Sequence, residues 1–236
     1  MAKRKKDEQK TLTVDIGGSG IKAMVLDVEG NPIRRRTRVR TPRPAKPEPV
    51  IKAIVKLGKR QSDFDRVSVG FPGVIRKGVT ETAVNLHKDW IGFNLEEALA
   101  EKLDKPVRVL NDADIQGFGA ISGVGVELVV TLGTGFGSAL FLDGKLVPNL
   151  EMGHHPFRNG KTYEEHLGSA GLKKVGRKKW QRRVMEAIDS LEFLFNYDTL
   201  YVGGGNAQRI TFDLPSNVKI IPNVAGLLGG IALWRE

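Results

Sequence analysis

The clearest indication of the fold class is the segment Thr11-Leu-Thr-Val-Asp-Ile-Gly-Gly-Ser-Gly-Ile-Lys-Ala-Met-Val-Leu26. Apolar residues lie on both sides of its Gly-Gly-Ser-Gly turn, which predicts a β-strand, a tight turn and a second β-strand. A second turn at Glu29-Gly-Asn31 and the run at residues 33–40 predict a third strand. The chain therefore opens with an antiparallel meander.

Helices and further strands alternate after this meander. Four prolines at residues 41–49 predict an extended crossover that leads into a helix at residues 50–57. Residues 66–71 and 107–110 read as buried strands, and between them Asn94 is expected to cap a helix. Such alternation predicts an α/β fold with a mixed sheet covered by helices.

The second half of the chain repeats the strand-turn-strand pattern of the first. Residues 127–132 and 138–142 predict two strands around another glycine turn, and residues 175–195 predict a long amphipathic helix. The apolar residues 224–234 predict a buried closing helix, in which Gly226, Gly229 and Gly230 allow close packing.

Composition narrows the class of protein. Of the 236 residues, 40% are apolar and 27% are charged, which is typical of a water-soluble globular protein. No apolar run approaches the ~20 residues that a bilayer requires, and the start of the chain lacks the apolar core of a secretory signal. With 0 cysteines the chain has no disulfide, thiolate zinc site or cysteine nucleophile. A cytoplasmic location is the prediction.

The chain carries 37 basic and 27 acidic side chains, a net charge of +10. A surplus of this size favours polyanionic partners, although solubility explains it equally well. Residues 1–10 are predicted to form a disordered basic tail. The surplus is concentrated at residues 3–6, at residues 173–183, and at Arg34, Arg35, Arg36, Arg38, Arg40 and Arg43.

Three glycine turns each follow a strand, at Asp15-Ile-Gly-Gly-Ser-Gly20, Leu132-Gly-Thr-Gly-Phe-Gly137 and Val202-Gly-Gly-Gly-Asn206. Glycine lets backbone amides converge on an anion, so these turns suit phosphate groups, although any one of them could be an ordinary hairpin. They are not Walker loops, because no Gly-Lys-Ser/Thr follows. A dinucleotide fingerprint is also disfavoured, because strands rather than helices follow the first two turns.

Two carboxylates are candidates for chemistry at these turns. Asp15 could hold a magnesium ion against phosphates through water, in the usual manner of this ion, or it could only cap the turn. Asp112, in Leu110-Asn-Asp-Ala-Asp114, is the candidate general base for transfer of a phosphoryl group to an alcohol. The alternative is a helix N-cap, a role that Asn111 or Asp114 could equally fill.

Polar side chains suited to sugar hydroxyls occur at Asn85 and in Glu151-Met-Gly-His-His155, where a surface loop is the alternative explanation. Trp90 or Phe157 could pack on a sugar ring.

Taken together, these segments resemble the ROK family of sugar kinases and repressors from about Thr11 onward, and within it the polyphosphate glucokinases. The resemblance rests on the order of six motifs: Asp15-Ile-Gly-Gly-Ser-Gly-Ile-Lys22, Gly70-Phe-Pro-Gly-Val74, Leu110-Asn-Asp-Ala-Asp114, Thr131-Leu-Gly-Thr-Gly-Phe-Gly-Ser-Ala-Leu140, Glu151-Met-Gly-His154 and Tyr201-Val-Gly-Gly-Gly-Asn206.

The resemblance implies a two-lobed actin-like ATPase fold, ribonuclease-H-like in each lobe, with a cleft between the lobes. The expected bounds are residues 11–110 plus 224–236 for the smaller lobe and 111–223 for the larger. It implies a glucokinase that uses polyphosphate, ATP or both with magnesium, and a homodimer.

The resemblance also assigns roles to single residues. Asp112 matches the catalytic base. The sugar-binding positions are Asn85, Asn111, Asp112, Glu151, His154 and one glutamate of Tyr163-Glu-Glu165, for which Glu165 is the prediction. The positions that bind the phosphoryl donor are Asp15, Gly17, Gly18, Ser19, Gly20, Lys22, Gly133, Thr134, Gly135, Gly203, Gly204 and Gly205.

This sequence departs from the family pattern at the position of the family's zinc site. Many members hold zinc through a histidine and a cysteine-rich run, whereas this chain has 0 cysteines, so no structural zinc is expected. No helix-turn-helix precedes the match, which argues against the DNA-binding repressors of the family. Neither a nucleic-acid nor a membrane partner is expected. The alternative function is a noncatalytic sugar-sensing or polyanion-binding protein of the same fold.

Overall fold

The structure of the protein, a computed structural model, describes residues 9–61, 63–83, 86–222 and 225–234. The chain folds into two compact units. The first comprises Met1–Gly119 and Gly226–Glu236, and the second comprises Ala120–Ala225.

The first unit is built on a five-stranded sheet with the strand order β3-β2-β1-β4-β8. In chain order its elements are β1 (Thr11–Ile16), β2 (Ile21–Leu26), β3 (Thr37–Val39), α1 (Pro47–Gly58), β4 (Arg66–Phe71), β5 (Ile75–Arg76), β6 (Val79–Thr80), β7 (Phe93–Asn94), α2 (Leu95–Leu103), β8 (Val107–Asn111) and α3 (Asp112–Phe118). β1, β2 and β3 pair antiparallel, whereas β4 runs parallel to both β1 and β8. The predicted opening meander is confirmed.

The second unit repeats this plan in a sheet with the order β11-β10-β9-β14-β15. Its elements are β9 (Val126–Leu132), β10 (Phe136–Leu142), β11 (Lys145–Val147), β12 (Pro156–Arg158), β13 (Lys161–Thr162), α4 (Tyr163–Leu167), α5 (Ser169–Val175), α6 (Arg177–Phe195), β14 (Thr199–Gly203) and β15 (Val218–Ile220). Again two antiparallel pairings are followed by two parallel ones. The predicted repetition of the strand-turn-strand device is confirmed.

Two predicted boundaries were wrong. The third strand occupies only Thr37–Val39 rather than residues 33–40, because only these residues form a continuous ladder with β2, whereas Pro32 makes an isolated bridge to Leu26. α1 begins at Pro47 rather than at residue 50. Prolines are tolerated in the first turn of a helix, where the backbone N–H has no intrahelical partner.

Each unit has its own apolar core. In the first, the buried residues of α1 and α2 pack on the sheet together with the fully buried Trp90. In the second, the predicted amphipathic character of α6 is confirmed, since Trp180, Val184, Ile188 and Leu191 are all buried. Among the described residues, no helix combines the length and apolar character needed to cross a bilayer.

The C-terminal segment comprises α7 (Ala225–Leu228) and a 3₁₀ helix, Gly229–Trp234. Its glycines permit close packing, as predicted. A Cβ atom on Gly229 would lie 1.8 Å from the Ile115 carbonyl oxygen of α3, and one on Gly230 would lie 2.5 Å from Thr13 Cγ2. The segment therefore supports both the sheet and the helix that begins at Asp112.

We expect Gly229→Ala to lower the free energy of unfolding by about 1–3 kcal/mol, because the new methyl group would meet backbone atoms that cannot rotate away. Urea denaturation measures the change. Gly133→Ala is the matched control, since a Cβ there meets no atom within 4 Å. Equal stability of the two variants would contradict the close packing seen at Gly229.

Candidate functional site

The first glycine turn joins β1 to β2 and is braced from outside. The Gly17 amide donates to the Gly20 carbonyl oxygen at 3.1 Å, which closes the turn. The Thr41 hydroxyl donates to the Gly17 carbonyl oxygen at 2.5 Å, and Arg43 Nη2 donates to that of Gly18 at 2.9 Å. The segment after β3 thus fixes the shape of the turn.

An ion pair lies beside this turn on the sheet. Asp15 and Lys22 are register partners on β1 and β2, and Lys22 Nζ lies 2.7 Å from Asp15 Oδ2. Arg38 is the next register partner across β2. Its guanidinium lies against Gly20, where an added Cβ would approach Arg38 Nε to 2.5 Å. Two basic side chains therefore flank the first turn.

The N-terminus of α3 settles which residue caps this helix. Asn111 is the N-cap, and its side-chain oxygen accepts from the amides of Ala113 at 2.8 Å and Asp114 at 3.4 Å. Asp112 is the first residue of α3, one position after the cap. Of the alternatives that the sequence left open, the capping role belongs to Asn111 and not to Asp112.

Asp112 lies close to Asp15. Gly70 of β4 is the register partner of Asp15, and a Cβ on Gly70 would lie 3.3 Å from the Asp112 Cα. Register partners share a face of the sheet, and adjacent strands are about 5 Å apart. Asp112 therefore lies on the Asp15 face of the sheet, one strand away, where the absence of a side chain at Gly70 lets α3 approach.

Two further sugar-binding candidates belong to the first unit, Asn111 and Asn85, and only Asn111 lies among the described residues. Asn111 Nδ2 donates to the Gly73 carbonyl oxygen at 3.2 Å, so its amide ties the loop after β4 to the start of α3. Asn85 lies outside the described residues.

In the second unit, the second and third glycine turns are joined by hydrogen bonds. The Gly133 carbonyl oxygen accepts from Ser169 Oγ at 2.8 Å and from Asn206 Nδ2 at 3.1 Å. Gly204, in the third turn, has φ +85, and a Cβ there would lie 2.4 Å from the Leu132 carbonyl oxygen. Only glycine suits that position. The two turns therefore form one continuous patch of backbone at the ends of β9 and β14.

The predicted Glu151 is the N-cap, and the predicted His154 the last residue, of a short 3₁₀ helix, Met152–His154, that packs on the second turn. A Cβ on Gly153 would lie 2.3 Å from the Phe136 carbonyl oxygen, so glycine is needed for this contact. His154 Nε2 lies 3.6 Å from Glu151 Oε2. Burial raises the pKa of Glu151, the nearby His154 opposes this shift, and Glu164 adds to it.

The two adjacent glutamates of α4 have different environments. Glu165 forms a capping box with Thr162: its Oε2 accepts from the Thr162 amide at 2.9 Å, and the Thr162 hydroxyl accepts from the Glu165 amide at 3.2 Å. The bond from the Thr162 amide is the main reason that the pKa of Glu165 is lowered. Glu164 instead accepts from the Phe136 amide at 3.2 Å and lies against Gly135. It is Glu164 that faces the second turn.

The proposed aromatic platform was wrong for Trp90. Its side chain is 0% exposed, its Nε1 donates to the Ala45 carbonyl oxygen at 2.8 Å, and its ring lies 5.1 Å from that of Phe71. Phe157 stacks on Tyr163 at 4.6 Å and packs against the core of the second unit. Both rings contribute to packing inside their units.

Comparison with known proteins is consistent across sequence and structure. A model described as the ROK family matches residues 11–171. A polyphosphate glucokinase of Mycobacterium tuberculosis is 34% identical over 233 residues, which cover 92% of this chain and 88% of that protein. A polyphosphate glucokinase of Mycobacterium leprae is 33% identical and covers 93% of this chain and 70% of that protein.

Solved structures agree. An inorganic polyphosphate/ATP-glucomannokinase from Arthrobacter sp. strain KM superposes with a TM-score of 0.87 at 34% identity, covering 97% of this chain and 100% of that one. A ROK family glucokinase of Streptomyces griseus, solved with glucose and AMPPNP, gives a TM-score of 0.77 at 20% identity, covering 95% of this chain and 98% of that one. The second likeness concerns the fold alone.

Proposed function

The chain belongs to the ROK family, and from that premise we propose that it phosphorylates glucose with polyphosphate or ATP as the phosphoryl donor. The observation that carries this proposal is the 34% identity to a polyphosphate glucokinase over 92% of the chain. The name of the Arthrobacter relative adds mannose as a candidate second sugar.

We assign the proton transfer to Asp112. In this step the oxygen of the 6-hydroxyl bonds to the terminal phosphorus of the donor, and the bond from that phosphorus to the bridging oxygen breaks. The hydroxyl proton passes to the Asp112 carboxylate. The position of Asp112 against Gly70, on the same face of the sheet as Asp15, supports this role.

In the first unit, we propose that the phosphates of the donor bind to the turn that contains Gly17, Gly18, Ser19 and Gly20. Lys22 and Asp15 lie beside it as an ion pair. No group of three or more His, Cys, Asp or Glu side chains suited to a metal occurs among the described residues. Asp15, near the end of β1 beside the turn, would hold a magnesium ion through water, and the bound ion would neutralise phosphate charge. In the second unit, the turns at Gly133, Thr134 and Gly135 and at Gly203, Gly204 and Gly205 are the corresponding candidates.

For sugar hydroxyls in the second unit we propose Glu151, His154 and Glu164. Glu164 replaces the predicted Glu165 in this proposal, because the carboxylate of Glu165 already accepts the amide of Thr162 in the capping box. Glu164 lies on the second turn and close enough to Glu151 to affect its pKa. Carboxylates and imidazoles at such positions accept or donate hydrogen bonds to hydroxyl groups.

A coupled assay of glucose phosphorylation, run with ATP and with long-chain polyphosphate side by side, tests the proposal. We expect turnover with polyphosphate, and we expect its apparent affinity to fall steeply with salt, because binding a polyanion releases counterions. Absence of turnover with both donors would favour the noncatalytic sugar-sensing or polyanion-binding alternative. The homodimer and the cytoplasmic location stay predictions from the sequence.

A further inference from the structure

We propose that the arginines at and around β3 form a binding site for the distal phosphates of a polyphosphate donor. This β3 arginine strip consists of Arg34, Arg35, Arg36, Arg38, Arg40 and Arg43. The inference rests on the proposed function, because it specifies how the donor of that reaction is held beyond the first glycine turn.

The strip begins at the turn itself. Arg38 lies against Gly20, and Arg43 donates to the Gly18 carbonyl oxygen at 2.9 Å. A phosphate chain held at the turn would therefore meet a guanidinium at the edge of its site. Guanidinium groups bind phosphate oxygens through two N–H donors at once, so this residue type suits the ligand.

The backbone of β3 directs part of the strip toward one face. Val39 pairs with the buried Ile21 and packs on the core, whereas Arg38 pairs with Lys22. Arg38 therefore lies on the face that carries Lys22, and Arg36 and Arg40 directly flank the strand, two residues from Arg38 on either side. β3 is also the edge strand of its sheet, and among the described residues no further strand pairs with its outer side.

The strip has an excess of positive charge that the fold leaves uncompensated. All six arginines are exposed, and no ion pair to any of them occurs within the part of the chain that the structure describes. The Lys22 ammonium, by contrast, is already paired with Asp15 at 2.7 Å. Like charges packed this closely repel one another, and a bound polyanion relieves that repulsion while releasing its counterions.

The length of the phosphate chain determines whether a donor can contact the whole strip. From Arg34 to Arg40 the chain spans at most about 20 Å. The negative charge of ATP ends at its third phosphate, whereas polyphosphate continues as an anion of the same repeating unit. The strip should therefore strengthen the binding of long-chain polyphosphate and leave that of ATP unchanged.

The test is the triple variant Arg34→Gln, Arg36→Gln and Arg40→Gln, which leaves the arginines beside the turn in place. We expect its KM for long-chain polyphosphate to rise about tenfold, with kcat and the KM for ATP unchanged. The slope of log KM against log salt should fall by about 2, since each lost contact to a single-stranded polyanion is worth about 0.7. Tripolyphosphate should respond less than the long chain.

Two further triple variants remove the same charge elsewhere. The control variant changes three lysines of α1 and α2 and should leave the KM for polyphosphate unchanged. It carries Lys52→Gln, Lys56→Gln and Lys102→Gln. The other variant tests whether the second basic region, on α5 and α6, binds polyphosphate instead. It carries Lys174→Gln, Lys178→Gln and Lys179→Gln.

The proposal is overturned if the β3 variant keeps the wild-type KM for polyphosphate, if it loses ATP and polyphosphate activity equally, or if only the α6 variant raises that KM. Whether polyphosphate is a donor at all is tested separately, by assaying the wild-type protein with each donor. Glucose phosphorylation by ATP with none by polyphosphate would remove both the donor and the strip.

Discussion

Asp112→Asn is expected to lower kcat about 10²- to 10⁴-fold with polyphosphate and with ATP alike. The amide retains the size of the side chain but has lost the basicity needed to take the proton of the 6-hydroxyl. Because the base acts on the acceptor, the loss should not depend on the donor. The KM for glucose should change little, since the amide oxygen still accepts a hydrogen bond.

The fold should survive this substitution, because the capping of α3 is carried out by Asn111. Asp104→Asn is a matched control: it makes the same chemical change in the same unit, at the left-handed C-cap of α2, a conformation that asparagine tolerates. Steady-state kinetics of both variants, together with thermal melts, separate a lost base from a lost fold. Wild-type kcat in Asp112→Asn would refute the assignment.

Trp90→Ala is expected to lower the free energy of unfolding by about 3–5 kcal/mol. The side chain is 0% exposed, contacts the rings of Phe71 and Phe93, and donates from Nε1 to the Ala45 carbonyl oxygen. Truncation would leave a cavity and remove the partner of a buried carbonyl group. Urea or thermal denaturation measures the loss.

Phe193→Ala provides the comparison, because Phe193 is also aromatic but is 90% exposed on α6. Its stability should stay within about 0.5 kcal/mol of wild type. A Trp90→Ala protein of normal stability whose KM for glucose is raised would instead support the sugar platform that the sequence suggested. The burial of this ring predicts the opposite outcome.

The candidate site shows what could be predicted from residue types. The glycine turns, Asp15 and Asp112 were identifiable because each lies at or directly after the end of an apolar strand, a position that chain order alone indicates. Trp90 was misassigned because sequence does not distinguish a buried ring from one that contacts a ligand. The choice between Glu164 and Glu165 had a signal that was missed: Thr162-Tyr-Glu-Glu165 matches the Ser/Thr-x-x-Glu capping box, which assigns Glu165 to the helix N-terminus.

The two strand-turn-strand units, the helices between them and the family could all be predicted without coordinates, because they follow from local periodicity, turn residues and motif order. Tertiary structure decided which side chains meet. Asp112 approaches Asp15 only because Gly70 stands in register between them, and Arg38 reaches Gly20 only because β3 pairs with β2. Such contacts join residues far apart in the chain, and strand register, which no local pattern encodes, fixes them.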